Sequence, residues 1–200
     1  MRIPAWIPLV FCTTGFAALL YQVVWQRVLY STFGVNVEAV TTVVAAFLGG
    51  LGLGSLVGGR LAKGSGSTLL LLCGLLELAI GVFGLFSLAF FRWVGSHTLE
   101  LPAVARGAVM ALAIMVPTIL MGASLPLLVS YLVPSTGNVG RTVGLLYFIN
   151  TAGSAFAALA AVLVLLGSMG EMNSVRLAAS LNLLVGSYIL VGPQRRSRQA

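Results

Sequence analysis

The chain is built from apolar runs of about 20 residues or more with almost no charge inside them, and nothing else constrains its fold as strongly. Hydrocarbon offers no water to a peptide group, so each backbone N–H and C=O must be satisfied within the chain. Only helices and closed barrels meet that condition. Barrel strands alternate apolar and polar residues, and these runs do not. Helices are therefore expected, with the lipid bilayer as the first partner. Composition points the same way. Only 8% of the 200 residues are charged and 59% are hydrophobic, whereas a soluble domain carries about 25% charged residues. Such a chain, with a mean hydropathy of +1.07, could not cover a water-facing surface.

Six spans are expected, at 7–29, 37–61, 68–91, 104–132, 139–166 and 174–191. They make one all-α membrane domain over 1–200. The first run is too long for a cleaved signal peptide, and its late Tyr21, Gln22, Gln26 and Arg27 are too polar for one. Pro117 and Pro126 interrupt the fourth and are expected to bend it. The connections at 92–104, 134–138 and 167–173 are too short to hold a soluble module.

The net charge of +7 raises the question of nucleic acid. The basic residues sit at span ends and in the C-terminal tail, where they orient the chain and meet anionic lipid, so no nucleic-acid partner is expected. Arg2, Arg60, Lys63, Arg141, Arg195, Arg196 and Arg198 share one side; Arg27, Arg92, Arg106 and Arg176 share the other. Seven against four places both termini in the cytoplasm. Cys12 and Cys73 lie in apolar segments and His97 stands alone, so neither a disulfide framework nor a metal or cofactor site is expected. With no plausible nucleophile pair either, the chain does not read as an enzyme.

A weak repeat runs through the sequence. Leu76-Glu77-Leu78-Ala79-Ile80-Gly81 matches Leu181-Asn182-Leu183-Leu184-Val185-Gly186 at an offset of 105. Phe47, Leu48 and Gly52 match Phe148, Ile149 and Gly153 at 101, and Gly15 matches Gly122 at 107. The ordered matches suggest two triplets of spans, inverted relative to each other, as in one half of a major facilitator transporter.

Asp is absent, so the acidic residues Glu38, Glu77, Glu100 and Glu171 can be weighed singly. Glu38 belongs near the water interface, and Glu100 and Glu171 read as solvated charges. Glu77 lies ten residues into the third span, where a charge costs about 2.5–3.5 kcal/mol on insertion scales. It must be paired, protonated or facing water. One reading is a structural partner for Arg27 or for a neighbouring helix; the other is a cation or proton site. Asn150 and Asn182 could share its cavity. Tyr21 and Trp25, like Gln22 and Gln26, are one helical turn apart. They fit an interfacial aromatic belt with a snorkelling Arg27, although Gln22 points to a bundle interior. Gly50, Gly54 and Gly58 form a small-residue stripe, and Gly153, Ala157 and Ala161 a second. Either is a helix-packing face, and one could meet a second subunit.

Four stretches together resemble the membrane domain of bacterial transporters fused to spermidine-synthase-like domains. They are 16–27 (through Tyr21-Gln22-Val23-Val24-Trp25-Gln26-Arg27), 45–62 (with Gly49-Gly50-Leu51-Gly52-Leu53-Gly54-Ser55), 120–128 (Leu120-Met121-Gly122-Ala123-Ser124-Leu125-Pro126-Leu127-Leu128) and 147–154 (Tyr147-Phe148-Ile149-Asn150-Thr151-Ala152-Gly153-Ser154). The resemblance implies a bacterial inner membrane. It also implies a cytosolic aminopropyltransferase-like domain that these 200 residues do not contain, so no synthase activity is expected of them. Gly59-Arg60-Leu61-Ala62-Lys63 resembles the major facilitator loop Gly-x-Leu-Ala-Asp, with Lys63 at the Asp position. The expectation is a half-sized, major-facilitator-like transporter acting as a homodimer. It would carry a polyamine or another small organic cation past Glu77, Tyr21, Gln22, Trp25, Tyr147, Asn150 and Asn182. The alternative is a non-transporting anchor or scaffold for a spermidine-synthase-like or other partner.

Overall fold

The computed structural model describes residues 3–33 and 37–197. Arg2 and Arg198 lie outside them, and the side chains of Glu38, Arg195 and Arg196 lie outside what is described. The described chain is helical: α1 Trp6–Phe33, α2 Val37–Leu61, α3 Gly66–His97, α4 Ala103–Thr136, α5 Val139–Ala160, a π-helical turn Ala161–Leu165, and α6 Leu166–Ser197. Among the described residues, five helical stretches are long and apolar enough to cross a membrane. The fifth, Val139–Gly192, joins α5, the π turn and α6 into 54 residues.

Several boundaries differ from the sequence expectation. α3 runs to His97, past the limit expected at 91, because Arg92 is the only Arg, Lys, Asp or Glu between 91 and the helix end and the residues around it still suit a helix. α4 continues through Pro117, Pro126 and Pro134 and stops at Gly137, whose left-handed φ of 66° lets its N–H reach the Val133 carbonyl at 2.9 Å. Asn138 then caps α5 by accepting a 2.8 Å hydrogen bond from the Arg141 N–H. The turn expected over 167–173 shrinks to Gly170, with φ 71° and ψ 179° inside otherwise helical chain. Only glycine adopts that conformation without strain.

Two apolar cores hold the elements together. One gathers Trp25, Val43, Phe91, Ile114, Ala161 and Val175; the other gathers Ile7, Leu69, Leu128, Leu146 and Ile189. Leu146 and Ala161 precede Gly170, and Val175 and Ile189 follow it, so the chain visits the two cores in reverse order after the break.

The tightest pairings are α2 on α4, α3 on α6 and α1 on α5. Lipid tails are as apolar as leucine, so helices in a membrane associate through close packing. Gly50, Gly54 and Gly58 lie against Thr118, Ile119 and Ala123 of α4, with no room for a side chain. Gly153 lies against Cys12 of α1, and Ala157 is fully buried. These stripes are internal and cannot form a dimer face. The glycines of α2 that face outward are Gly49, Gly52 and Gly59, with nothing within 4 Å of an added Cβ.

Gly54→Leu is expected to destabilise the fold by about 1–3 kcal/mol through overpacking, while Gly52→Leu stays within about 0.5 kcal/mol. Reversible unfolding in mixed micelles distinguishes the two.

Candidate functional site

Between the two cores lies a cavity of about 280 Å³ lined by residues of all six α-helices but not of the π-helical turn. Glu77 and Asn182 form its deep wall where α3 crosses α6. That crossing is close because Gly74 faces Gly186 and Gly81 faces Ala179. The Asn182 amide Nδ2–H donates to Glu77 Oε2 at 2.6 Å, and the Ser124 hydroxyl approaches Glu77 Oε1 at 3.4 Å. Both Glu77 and Asn182 are 3% exposed. Asn182 Oδ1 is buried and finds no donor. Among the described residues no Lys or Arg pairs with Glu77. Arg27, one expected partner, instead lies 3.4 Å from Glu171 across the α1–α6 contact, a half-exposed pair worth at most about 1 kcal/mol.

The carboxylate thus has two neutral hydrogen-bond donors and no compensating charge. Each donor hydrogen bond to an ionised group contributes about 1.5–3 kcal/mol, against a desolvation cost of several kcal/mol. A cation brought to this wall would meet a carboxyl group already freed of water.

Gln22, Tyr147 and Asn150 also line the cavity. Asn150 Nδ2–H donates to the Phe11 carbonyl at 3.3 Å, and the Ser154 hydroxyl donates to the Gly15 carbonyl at 3.0 Å, clipping α5 to α1. Tyr147 is 64% exposed, so the cavity reaches the outer surface of the bundle beside it.

Tyr21 and Trp25 do not line the cavity. They form neither a cavity wall nor an interfacial belt, because their face of α1 turns into one of the apolar cores. Tyr21 stacks on Trp25 at 4.9 Å and sits against Gly84. Trp25 packs on Phe83 and Phe91, and its indole N–H donates to Ser87 Oγ at 2.9 Å. Ser87 in turn donates to the Gly84 carbonyl at 2.8 Å.

Residues missed by the sequence reasoning complete the site: Thr14, Ser55, Ser124 and Ser154, with Phe11, Phe47, Leu51, Ile80 and Met121 supplying the apolar part. Serines and threonines are ordinary in membrane helices, so nothing local marked them out. Ser124 carried one signal, since Pro126 two residues on has no N–H to give to the Gly122 carbonyl. Gly122 also lines the cavity. Among the described residues no three His, Cys, Asp or Glu side chains converge as metal ligands would.

No protein-family model, curated protein or solved structure matches the chain.

Trp25→Phe is expected to lower stability by about 1 kcal/mol, through the lost indole hydrogen bond and the Ser87 hydroxyl it leaves short of a partner. Any ligand affinity measured at the cavity should change by less than about twofold. Parallel unfolding and binding titrations separate the two effects.

Proposed function

We propose that the chain is a half-sized, major-facilitator-like transporter that works as a homodimer and carries a polyamine or another small organic cation across a bacterial inner membrane. The observation that carries this reading is Glu77: a buried carboxylate with neutral partners, on the wall of a cavity that lies between two apolar cores. Intramembrane ionisable groups are costly, and they mark substrate and ion pathways.

Six crossings fit the fold. A straight 54-residue helix would extend about 80 Å, against a hydrocarbon core of about 30 Å. The reversal at Gly170 resolves that mismatch by making two spans of Val139–Gly192. With both termini cytoplasmic, Arg60, Lys63 and Arg141 fall on the cytoplasmic side.

The pairing pattern supports a three-plus-three inverted repeat. Exchanging the triplets turns α1–α5 into α4–α2, turns α1–α6 into α4–α3, and leaves α3–α6 in place; all of these pairs are in contact. At the α3–α6 crossing the offset of 105 carries Gly74 to Ala179, Leu78 to Leu183 and Gly81 to Gly186. The close contact of Gly186 with Leu78 thereby becomes that of Gly81 with Leu183. The Glu77–Asn182 hydrogen bond maps onto itself and so lies at the pseudo-axis. For α2 and α5 the contacts favour an offset of 99, not 101. Gly54 against Ile119 corresponds to Gly153 against Cys12, and Gly122 against Leu51 to Gly15 against Asn150.

A second copy would complete the path. The cavity reaches the surface at Tyr147, with Ser55 also exposed, and lipid tails would leave the polar rim unsatisfied. The outward face of α2, with Gly49, Gly52 and Gly59, allows a close approach beside that opening. The mechanism is a rocking of helix bundles that exposes Glu77 to each side in turn, with proton coupling available at the same carboxylate. A passive anchor or scaffold for a spermidine-synthase-like partner has no need of an uncompensated carboxylate, and the pairing of Arg27 with Glu171 removes the locked pair that would favour it.

In proteoliposomes, uptake of radiolabelled small organic cations is expected to fall to below about a tenth in Glu77→Gln. Normal uptake by that variant would refute the role of Glu77. Gly52→Cys is expected to cross-link two copies in native membranes, and a monomer under those conditions would refute the dimer.

A further inference from the structure

Resting on the transport reading but narrowing its two substrate classes to the second, a small organic cation that is not a polyamine, we infer that the cavity is shaped for a single protonated amine carried on an apolar body, with Asn182 as the group that selects it. Three observations converge. The first is the charge count. Glu77 is the one ionisable carboxylate among the cavity-lining residues, and the rest are amides, hydroxyls and apolar groups. One carboxylate compensates one ammonium. A second ammonium in the same space would meet only neutral oxygens, and taking a charge out of water without a counter-charge is unfavourable.

The second is the orphaned acceptor. Asn182 spends its Nδ2–H on Glu77 Oε2, which fixes the orientation of the amide and leaves Oδ1 buried with no donor. A buried acceptor without a donor is costly, and a ligand pressed against the Glu77 wall can supply the missing donor. An ammonium carrying N–H groups can donate to Glu77 and to Asn182 Oδ1 at once. A quaternary ammonium has the charge but no N–H, and would leave Oδ1 as it is. Pro126 has no N–H to give to the Gly122 carbonyl, and Gly122 lies on the same lining.

The third is size and lining. About 280 Å³ lies just below the usual range of small-molecule pockets, about 300–1,000 Å³, so the ligand is small. Phe11, Leu19, Phe47, Ile80 and Met121 surround the space not taken by the polar wall, which suits a hydrocarbon or aromatic body. Each copy keeps its own Glu77 buried, so the charge match is made within one chain.

The test is a calorimetric titration of the full chain in nanodiscs with hexylamine, hexyltrimethylammonium and 1,6-diaminohexane, with empty nanodiscs correcting for partition into lipid. Hexylamine is expected to bind about tenfold tighter than either of the others, one charge-assisted hydrogen bond being lost with the quaternary ligand. Asn182→Leu should abolish the preference for the amine over the quaternary ligand. The ligand series on the unaltered protein decides the matter even if that variant does not fold. Equal or tighter binding of the diamine would mean that a second carboxylate reaches the site. Equal binding of the quaternary ligand would mean that Asn182 does not read the N–H. Either result overturns the inference and leaves cation transport standing. If none of the three binds and no cation is taken up by proteoliposomes, the transport reading falls with it.

Discussion

Close backbone contact between helices is the condition on which the rest of this structure depends. In lipid, apolar side chains gain little by leaving one hydrocarbon surface for another. Cohesion must come from dispersion at short range, and short range requires small residues. The α1–α5, α2–α4 and α3–α6 crossings each supply them, at Gly15 and Gly153, at Gly54 and Gly122, and at Gly74, Gly81 and Gly186. The cavity follows from this. Where two helices meet at glycine, the larger residues one position away are turned aside. Ser55 beside Gly54 and Ser154 beside Gly153 both reach the cavity for that reason. The packing motif and the site are two sides of the same helices.

Glu77 shows how far this scaffold tolerates a cost. Cys73 and Ile80, one turn away on either side, are both buried in apolar cores, and Glu77 occupies the layer between them. A leucine there would relieve the desolvation of a carboxylate. The neighbours that meet it, Asn182 and Ser124, are neutral donors, which stabilise the ionised group without cancelling its charge. An arginine in place of either would make a closed structural ion pair with nothing left to offer a ligand.

Much of this was legible in the sequence because bilayer physics acts on single residues. The lengths of the apolar runs gave the helices. The scarcity of acids made Glu77 stand out, and the match at 105 residues pointed to Asn182. What failed depended on helix rotation, which a sequence does not specify. Tyr21 and Trp25 sit one and four positions from Gln22 and Tyr21 respectively, yet Gln22 faces the cavity and the two rings face the core. The α2 stripe of Gly50, Gly54 and Gly58 could as well have faced a second subunit, and only the position of α4 decides that it does not. The α2–α5 match at 101 is weakly specified, because Gly52 and Gly54 both lie in a glycine-rich run, where composition alone produces matches at several offsets. Gly170 was placed only within a seven-residue window, since several small polar residues around it could have made the turn.

The same crossings restrict how such a bundle could move. Separating two helices that meet at glycine sacrifices many short-range contacts at once, with no hydrophobic gain to offset the loss. The α1–α5 and α2–α4 pairs are therefore the natural rigid units, each tied further by side chains: Asn150 and Ser154 onto α1, and Thr118 wedged against Gly50. The thinner contacts are those between the pairs, α1 with α2 and α4 with α5, and these flank the cavity. The two apolar cores close the cavity at its ends, one with stacked and edge-on aromatic rings and a buried indole hydrogen bond, the other with mostly aliphatic side chains. Aliphatic packing is non-directional and re-forms in many arrangements, whereas the Trp25–Ser87 bond and its ring contacts are lost outright when the helices part. In a bundle built this way, the end around Ile7, Leu69 and Ile189 is the easier one to open.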